Sequence, residues 1–482
     1  MKKETVYGGK EYFMQVDKGE KRLKRHRKEQ RELSRLLKEQ GRSAYLHSFF
    51  FVLLILTVIY IADEIMTNTG TMKPYMIFDL FNIRNQDIND PAYAKAISMM
   101  AVATIPTNII TIINPLYRSL ADRFGRKPFL VLNILGMALG ITVCMLSTSV
   151  YTFVVGTCIL DFFSPNDMQV IYLMETAPKA HRAKMCSITK GISLLSVSLV
   201  GVFKTMFYDP EVLSSWRFVY IIPIAIAVVI SILAAIFTKE SPVFLERRIA
   251  YLRKTDEERE EDRKQASTGK GSLAAAFRFI IHDKQVRTIA IVLLIFATAQ
   301  ATCGYTTEIM LAPGHLTDAD MNLFFIIQPI VFAIFSFLSG FVLDRAGRKN
   351  GGFFFGIIAI VCFMLFVFGA SAGLSAVALA FIFGLMRAGF WSLSDLLYVM
   401  LPAESAPTSI RASVMALISY TYATCVLMNI LLGVFFTKIG AARIGILEVC
   451  LFVPAVLISI LFLKFRLRET RDVDLTAVGK EA

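Results

Sequence analysis

The chain has 482 residues, of which 55% are hydrophobic and 18% are charged, and its mean hydropathy is +0.57. A soluble domain carries about 25% charged residues, so this composition excludes an ordinary soluble domain and indicates a membrane protein. The five histidines are scattered and the seven cysteines include no CxxC pair, which excludes a zinc site and a disulfide framework.

The apolar residues fall in blocks of about 20 or more, long enough to cross a bilayer as helices. We predict twelve spans, near 46–66, 94–117, 128–148, 151–174, 184–206 and 217–237, and then near 286–309, 321–342, 351–371, 374–401, 410–436 and 442–463. The predicted fold class is therefore an all-α membrane protein with 12 transmembrane helices, arranged as two six-helix repeats.

The first 44 residues carry 14 Lys and Arg residues against 7 Asp and Glu residues. Nucleic-acid binding would need such a charge, but the segment leads directly into span 1, and the positive-inside rule explains it better. Two hypotheses remain open for this tail. Its leucines, which are Leu23, Leu33, Leu36 and Leu37, are typical of a helix on anionic headgroups, and a solvated charged tail fits equally well.

Basic residues also follow the even-numbered spans, so both termini are expected in the cytoplasm of a multi-pass protein of the cell membrane. A charged stretch, TDEEREEDRKQASTGKGS (255–272), is too polar to bury a core and predicts a linker. The expected organisation is a basic cytoplasmic tail over 1–44, a six-helix bundle over 45–238, a cytoplasmic linker over 239–285, a second bundle over 286–465 and a cytoplasmic tail over 466–482.

Two charged phrases occur twice in the same order. LADRFGRK (120–127) is echoed 222 residues later by LDRAGRK (343–349), and ETAPKAHRAK (175–184) is echoed 229 residues later by ESAPTSIRAS (404–413). Nearly equal offsets indicate an internal duplication, and parallel repeats of this kind build transporters with a substrate site between the halves.

These paired phrases resemble the major facilitator superfamily over roughly residues 45–470. TKESPVFLERR (238–248) and WRFVY (216–220) are similar to phrases of its sugar-porter branch. The resemblance implies alternating access and a latch on the cytoplasmic side, in which an aspartate accepts hydrogen bonds from the start of a neighbouring helix and a glycine permits the turn. The expected latch residues are Asp122, Arg123, Arg126, Glu175 and Arg182, and in the second half Asp344, Arg345, Arg348, Glu404 and Arg411.

Charged side chains inside a membrane cost about 2.5–3.5 kcal/mol each, so they usually face a cavity or one another. The resemblance implies that Asp63 in span 1 carries the coupled proton, with Asp161 and Asp167 as further candidates. An acid that simply reaches water at a helix end is the other interpretation of Asp63. Sugar porters pair this aspartate with an arginine in span 4, which is absent here, so Lys190 or Arg387 is expected to replace it.

Lys190 stands where sugar porters have a sugar-binding glutamine. It either pairs with an internal acid such as Asp63, Asp161 or Asp167, or it binds an anionic group of the solute. In span 10, five side chains at i, +4, +7, +8 and +11 form one polar and aromatic face. The predicted substrate-binding residues are Lys190, Gln300, Gln328, Arg387, Trp391, Asp395 and Tyr398.

The expected function is secondary active transport of a small polar organic solute, a sugar or an organic acid, by proton symport. The protein is expected to act as a monomer in the lipid bilayer, with no cofactor and no nucleic-acid partner. A proton-driven exporter of amphiphilic drugs is the closest alternative, since 39 Phe and 20 Met residues suit an apolar pocket. An enzyme is not expected, and a membrane sensor without transport is the third possibility.

Overall fold

The computed structural model describes residues 27–39, 49–68, 72–164, 168–176, 182–255, 257–259, 273–407 and 410–470, and all regular secondary structure in these residues is helical. Nine helices in this part of the chain are long and apolar enough to cross a membrane, which confirms an all-α, multi-pass protein. Shorter or interrupted helices lie at the first, second and fourth predicted positions. All twelve positions are thus helical, while the number of crossings stays a prediction.

In the first half, a short break divides several spans. The break in span 2 falls just before Pro106, which has no N–H to donate to the preceding turn. The helices of the six spans are Phe49–Thr67 (span 1), Pro91–Ala103 and Ile105–Phe124 (span 2), Arg126–Met145 (span 3), Val150–Phe163 and Met168–Thr176 (span 4), Arg182–Ser196 and Ser198–Phe207 (span 5), and the 3-10 turn Leu213–Tyr220 with Ile221–Phe237 (span 6). A further helix, Lys73–Leu80, lies between spans 1 and 2.

In the second half, span 8 starts earlier than predicted because Thr317 and Asp320 form a capping box. The helices are Lys284–Ala301 and Thr306–Leu311 (span 7), Asp318–Ala346 (span 8), Arg348–Ser371 (span 9), Ala376–Asp395 with the π-helical turn Leu396–Met400 and Leu401–Ser405 (span 10), Arg411–Ser419, Tyr420–Tyr422 and Ala423–Ile439 (span 11), and Ala441–Phe465 (span 12). Helices Pro242–Arg253 and Leu273–His282 stand on either side of 260–272, which lies outside the described residues.

The two halves meet where span 2 packs on span 11 and span 5 packs on span 8. Glycine makes the approach possible, because a Cβ at Gly433 would lie only 2.2 Å from the Cβ of Ala101. We call the end of the bundle with the turns at Gly125 and Gly347 the basic face. The opposite end, with the turns at Gly314 and Gly440, is the distal face.

The described part of the N-terminal tail is a helix over 27–39 that packs on Pro242–Arg253. Leu36 is buried with Leu245 and Ile249, and Leu33 packs against the same cluster. Two ion pairs flank the cluster, Glu32–Arg248 at 2.8 Å and Glu29–Arg259 at 3.0 Å. Neither sequence hypothesis for this tail holds for Leu33 and Leu36, because their side chains contact protein. Leu23 lies outside the described residues.

Each repeated DRxGRK turn surrounds a glutamate. Gly125 and Gly347 have φ of 105° and 83°, which favours glycine. Glu240 Oε1 accepts a hydrogen bond from the Arg126 N–H at 2.7 Å, and Glu469 Oε1 accepts one from the Arg348 N–H at 2.9 Å. These carboxylates thus neutralise the positive ends of spans 3 and 9.

The sequence assigned this acceptor role to Asp122 and Asp344, whose side chains lie outside the described part of the structure. Their role stays a prediction. The structure shows Glu240 and Glu469 as acceptors at the starts of spans 3 and 9, and they stand 229 residues apart, the same offset as Glu175 and Glu404. Burial raises the pKa of the Glu240 carboxyl, and the backbone donors around it lower that pKa in part.

Replacing Gly125 by alanine tests the close approach. A Cβ at Gly125 would lie 2.2 Å from Glu240 Oε2, whereas at Gly440 no atom lies within 4 Å, although φ there is also positive at 70°. Both substitutions strain the backbone by about 1–3 kcal/mol, and only Gly125→Ala also displaces the carboxylate. We expect Gly125→Ala to lower the thermal unfolding temperature of the purified protein more than Gly440→Ala. Equal decreases would show that the carboxylate does not need this space.

Candidate functional site

Two adjoining cavities lie between the halves. The one nearer the distal face has a volume of about 410 Å³ and the one nearer the basic face about 590 Å³. Thr67, Asn68, Arg387 and Trp391 line both. Most of the walls come from spans 1 and 5 of the first half and from spans 7, 8 and 10 of the second. The cavities therefore occupy the position at which the duplication predicts the site.

Lys190 forms an ion pair across the two halves. Its Nζ lies 3.0 Å from Asp395 Oδ2, and the two side chains are 42% and 43% exposed. Both residues line the 590 Å³ cavity. Of the two hypotheses for Lys190, the structure supports the internal acid, and it shows Asp395 of span 10 as a partner that the sequence had not suggested.

Asp63 lies on the wall of the same cavity and is only 9% exposed. This burial disagrees with the interpretation of Asp63 as an acid that simply reaches water. The Gln169 Nε2 donates a hydrogen bond to Asp63 Oδ2 at 2.7 Å. The sequence predicted a cation, Lys190 or Arg387, beside Asp63. The structure shows a neutral amide from span 4 bound to this carboxylate.

Of the other two proton-carrier candidates, the structure describes Asp161, which stands apart from these two cavities. Asp161 forms a hydrogen bond with Thr107 of span 2 and is not among the described residues that line either cavity. Asp167 lies outside the described residues. Asp63 is therefore the candidate acid that the structure brings to the cavity wall.

Span 10 presents most of its predicted face. Arg387 and Trp391 line both cavities, Asp395 lines the larger one, and Ser394 Oγ accepts a hydrogen bond from Gln300 Nε2 at 3.1 Å. Tyr398 packs instead against Phe296, with ring centroids 6.4 Å apart. The reason is the π-helical turn at Leu396–Met400, which has more residues per turn and rotates Tyr398 away from the face that α-helical spacing predicts.

Gln300 and Gln328 both line the 410 Å³ cavity, as the sequence predicted for a binding site. Gln328 is 4% exposed, and its Nε2 has no hydrogen-bond acceptor among the described residues. The Oε1 of Gln300 likewise has no donor in that part of the chain. One buried donor and one buried acceptor thus remain for a ligand or water.

Hydrogen bonds join the halves at the distal face. The Tyr93 hydroxyl donates to Glu308 Oε1 at 2.9 Å, and the Tyr75 hydroxyl donates to Asp318 Oδ1 at 2.7 Å. Lys204 Nζ in turn donates to the Tyr75 hydroxyl at 2.6 Å. Lys204 is only 1% exposed. The three side chains Lys204, Tyr75 and Asp318 therefore join the two halves in a buried part of the distal face.

The predicted latch residues on the basic face are partly described. Arg348 Nη2 lies 3.2 Å from Glu404 Oε1, which joins two of them within the second half. Arg126 is buried at the start of span 3, and Arg345 is exposed. The remaining latch side chains lie outside the described part, namely those of Asp122, Arg123, Glu175, Arg182, Asp344 and Arg411.

Sequence analysis missed the neutral Gln169 and also two buried charged residues, Glu448 and Lys204. Glu448 in span 12 is 0% exposed and accepts a hydrogen bond from the Cys303 N–H at 3.0 Å, where the backbone of span 7 is broken at a φ of 84°. The charge criterion that selected Asp63 would have found Glu448. Lys204 stands near the end of span 5, where a lysine usually reaches the membrane surface. Its position in the sequence therefore did not predict that it is buried.

An all-helical bundle whose two related halves share central cavities defines the architecture of a secondary transporter. A family model described as Major Facilitator Superfamily matches residues 41–426. The chain therefore belongs to the Major Facilitator Superfamily, a class of transporters and not of enzymes.

Two kinds of relatives are similar to this chain. The arabinose-proton symporter of Bacillus subtilis is 26% identical over 324 residues, which cover 61% of this chain and 68% of that protein. The crystal structure of a D-xylose-proton symporter has a TM-score of 0.65 at 18% identity and covers 88% of this chain and 99% of its own. A POT family transporter in complex with 5-aminolevulinic acid has a TM-score of 0.62 at 14% identity, with 86% and 97% covered. These solved structures support the fold.

A double-mutant cycle tests the ion pair. Lys190→Ala or Asp395→Ala alone leaves an unpaired charge between the halves, whereas the double variant leaves none. Because both side chains are partly exposed, we expect a coupling of about 0.5 kcal/mol or slightly more. The measurement is the thermal stability of the three variants and the parent protein. Additive effects of the two substitutions would contradict the pair.

Proposed function

We propose that the protein is a proton-coupled symporter of a small polar solute of the sugar class. The observation that carries this proposal is that two cavities between the halves contain a buried acid, Asp63, and are closed towards the distal face by contacts between the halves. The similarity to arabinose-proton and xylose-proton symporters supports both the solute class and the coupled ion.

The proposed transport cycle alternates between two arrangements of the halves. In the arrangement seen here, Tyr75 and Tyr93 bind acids of the opposite half at the distal face. Rotation of the halves breaks these contacts and opens the cavities on that side. The basic face then closes through the latch residues that the sequence predicts, while Lys190 and Asp395 form or lose their ion pair as span 5 moves against span 10.

The charge distribution supports an orientation with the basic face in the cytoplasm of a cell-membrane protein. The helix over 27–39 packs on the helix Pro242–Arg253 at this face, which supports a cytoplasmic N-terminal tail on the same side as the linker. Both cavities lie between the two halves of the same chain, so we propose that one chain is sufficient for transport.

Asp63 is the proposed proton carrier. Its partner Gln169 donates to the carboxylate through Nε2, and after rotation of the amide its Oε1 accepts from the protonated acid. An arginine would stabilise only the charged form. The amide thus lets Asp63 keep a hydrogen bond in both protonation states, as a group that repeatedly binds and releases a proton requires.

The cavity walls favour a polar solute over the amphiphilic drug that an exporter would carry. The 590 Å³ cavity is lined by Asp63, Glu64, Lys190, Arg387 and Asp395. Ionisable side chains are expensive at this depth and are kept where they act on a solute or an ion. An apolar molecule would displace water from these side chains without offering them hydrogen bonds in return, which costs free energy.

Replacing Asp63 by asparagine tests the coupling. Asparagine resembles the protonated carrier but cannot release a proton, so accumulation of solute against its gradient should be lost while exchange across sealed vesicles continues. The matched control is Asp161→Asn, which removes a membrane acid away from the cavities and should preserve proton-driven accumulation. Accumulation by Asp63→Asn at the parental level would place the coupling on another residue.

A further inference from the structure

We propose that the transported solute is a monocarboxylated sugar, such as a uronic or aldonic acid, and that Arg387 binds its carboxylate. This inference rests on the proposed transport function and names the substrate class of the same cavities. It starts from a cationic side chain that the structure places at the junction of the two cavities.

The guanidinium of Arg387 is held by an aromatic ring and not by an acid. Its Cζ lies 4.9 Å from the centroid of the Phe332 ring. Among the described residues it forms no ion pair within 4 Å and no hydrogen bond. Glu64 attracts it only through space. A guanidinium has five N–H donors and no acceptor, so its donors remain for a ligand.

The geometry suits a carboxylate. Stacking on a ring fixes the plane of a guanidinium, and the N–H edge can then bind both oxygens of a carboxylate in parallel. An arginine inside a membrane span is energetically unfavourable. An anionic solute would repay this cost, because the hydrogen bonds it makes are charge-assisted.

The other charged groups of the cavities already have partners. Asp395 binds Lys190. Three carboxylates accept hydrogen bonds, Asp63 from Gln169, Glu64 from Asn68 and Glu308 from Tyr93. In addition, Lys73 Nζ lies 4.2 Å from the Tyr305 ring centroid and is near Glu448. Arg387, unlike Lys73, lines both cavities, and no acid binds its guanidinium among the described residues. One guanidinium matches one carboxylate, which favours a solute with a single carboxylate.

The surroundings of Arg387 suit the remainder of a sugar. Trp391, one helical turn further along span 10, is 42% exposed and lines both cavities, which allows its ring to cover the apolar face of a pyranose. Gln328 Nε2 and Gln300 Oε1 are buried and have no partner among the described residues. They supply a donor and an acceptor for hydroxyl groups.

A consequence for coupling follows from the charge of such a solute. A monoanion that moves together with one proton carries no net charge. Transport should then respond to the pH gradient and not to the membrane potential. A neutral sugar that moves with a proton would respond to both.

The experiment compares acid and neutral sugars on the purified full-length protein. D-Glucuronate, D-galacturonate and D-gluconate are titrated beside D-glucose, D-xylose and L-arabinose, with the thermal unfolding temperature as the readout and calorimetry for the Kd. We expect at least one of the acids to bind tenfold or more tightly than its neutral counterpart. In Arg387→Gln that affinity should fall tenfold or more, and Arg387→Lys should restore only part of it, because lysine cannot bind two oxygens in parallel.

One control variant and three contrary outcomes keep the two proposals distinct. Arg443→Gln removes an exposed arginine at the start of span 12 and should leave acid binding unchanged. If neutral sugars bind and are transported while the acids do not bind, the inference is overturned and the transport function stands. If acids bind equally well to Arg387→Gln with an unchanged unfolding temperature, the role of Arg387 is overturned. If neither class binds or enters proteoliposomes, the proposed function fails as well.

Discussion

The arrangement of the molecule depends on hydrogen bonds that join its two halves away from water. At the distal face, Tyr75 links Lys204 of its own half to Asp318 of the other, and Tyr93 reaches Glu308. In such a dry site each hydrogen bond is strong while it exists, and an unpaired group is costly. The halves must therefore exchange these contacts together, which favours two discrete arrangements over a continuous range.

This exchange requires that each half moves as a unit. On the basic face the carboxylates of Glu240 and Glu469 each cap the start of a helix in their own half. Because these bonds lie within a half, rotation of one half against the other does not break them. The ion pair of Lys190 and Asp395 is different, since it joins spans 5 and 10 across the cavity and must respond to every rotation.

The sequence was sufficient for the helical fold, the duplication and most of the polar face of span 10, because each produces a regular pattern in the chain. It was not sufficient for partners. Gln169 meets Asp63 over 106 residues, and Tyr93 meets Glu308 over 215, and no periodicity records such pairs. Tyr398 shows a second kind of failure. Its helix was predicted correctly, but a single π-helical turn changes the face on which the side chain lies.

The central claim is that the distal hydrogen bonds hold one of two reciprocal arrangements, and distances between spin labels test it directly. Labels are placed at exposed positions in a background that lacks the seven native cysteines. Glu211 and His315 report on the two halves at the distal face, and Lys254 and Arg278, which lie beside the linker helices that follow the first half and precede the second, report on the basic face. Combining Tyr75→Phe with Tyr93→Phe removes both hydroxyls. We expect the distal distance to lengthen and the basic-face distance to shorten in the same population of molecules. Unchanged distances, or distances that lengthen at both faces, would contradict the claim.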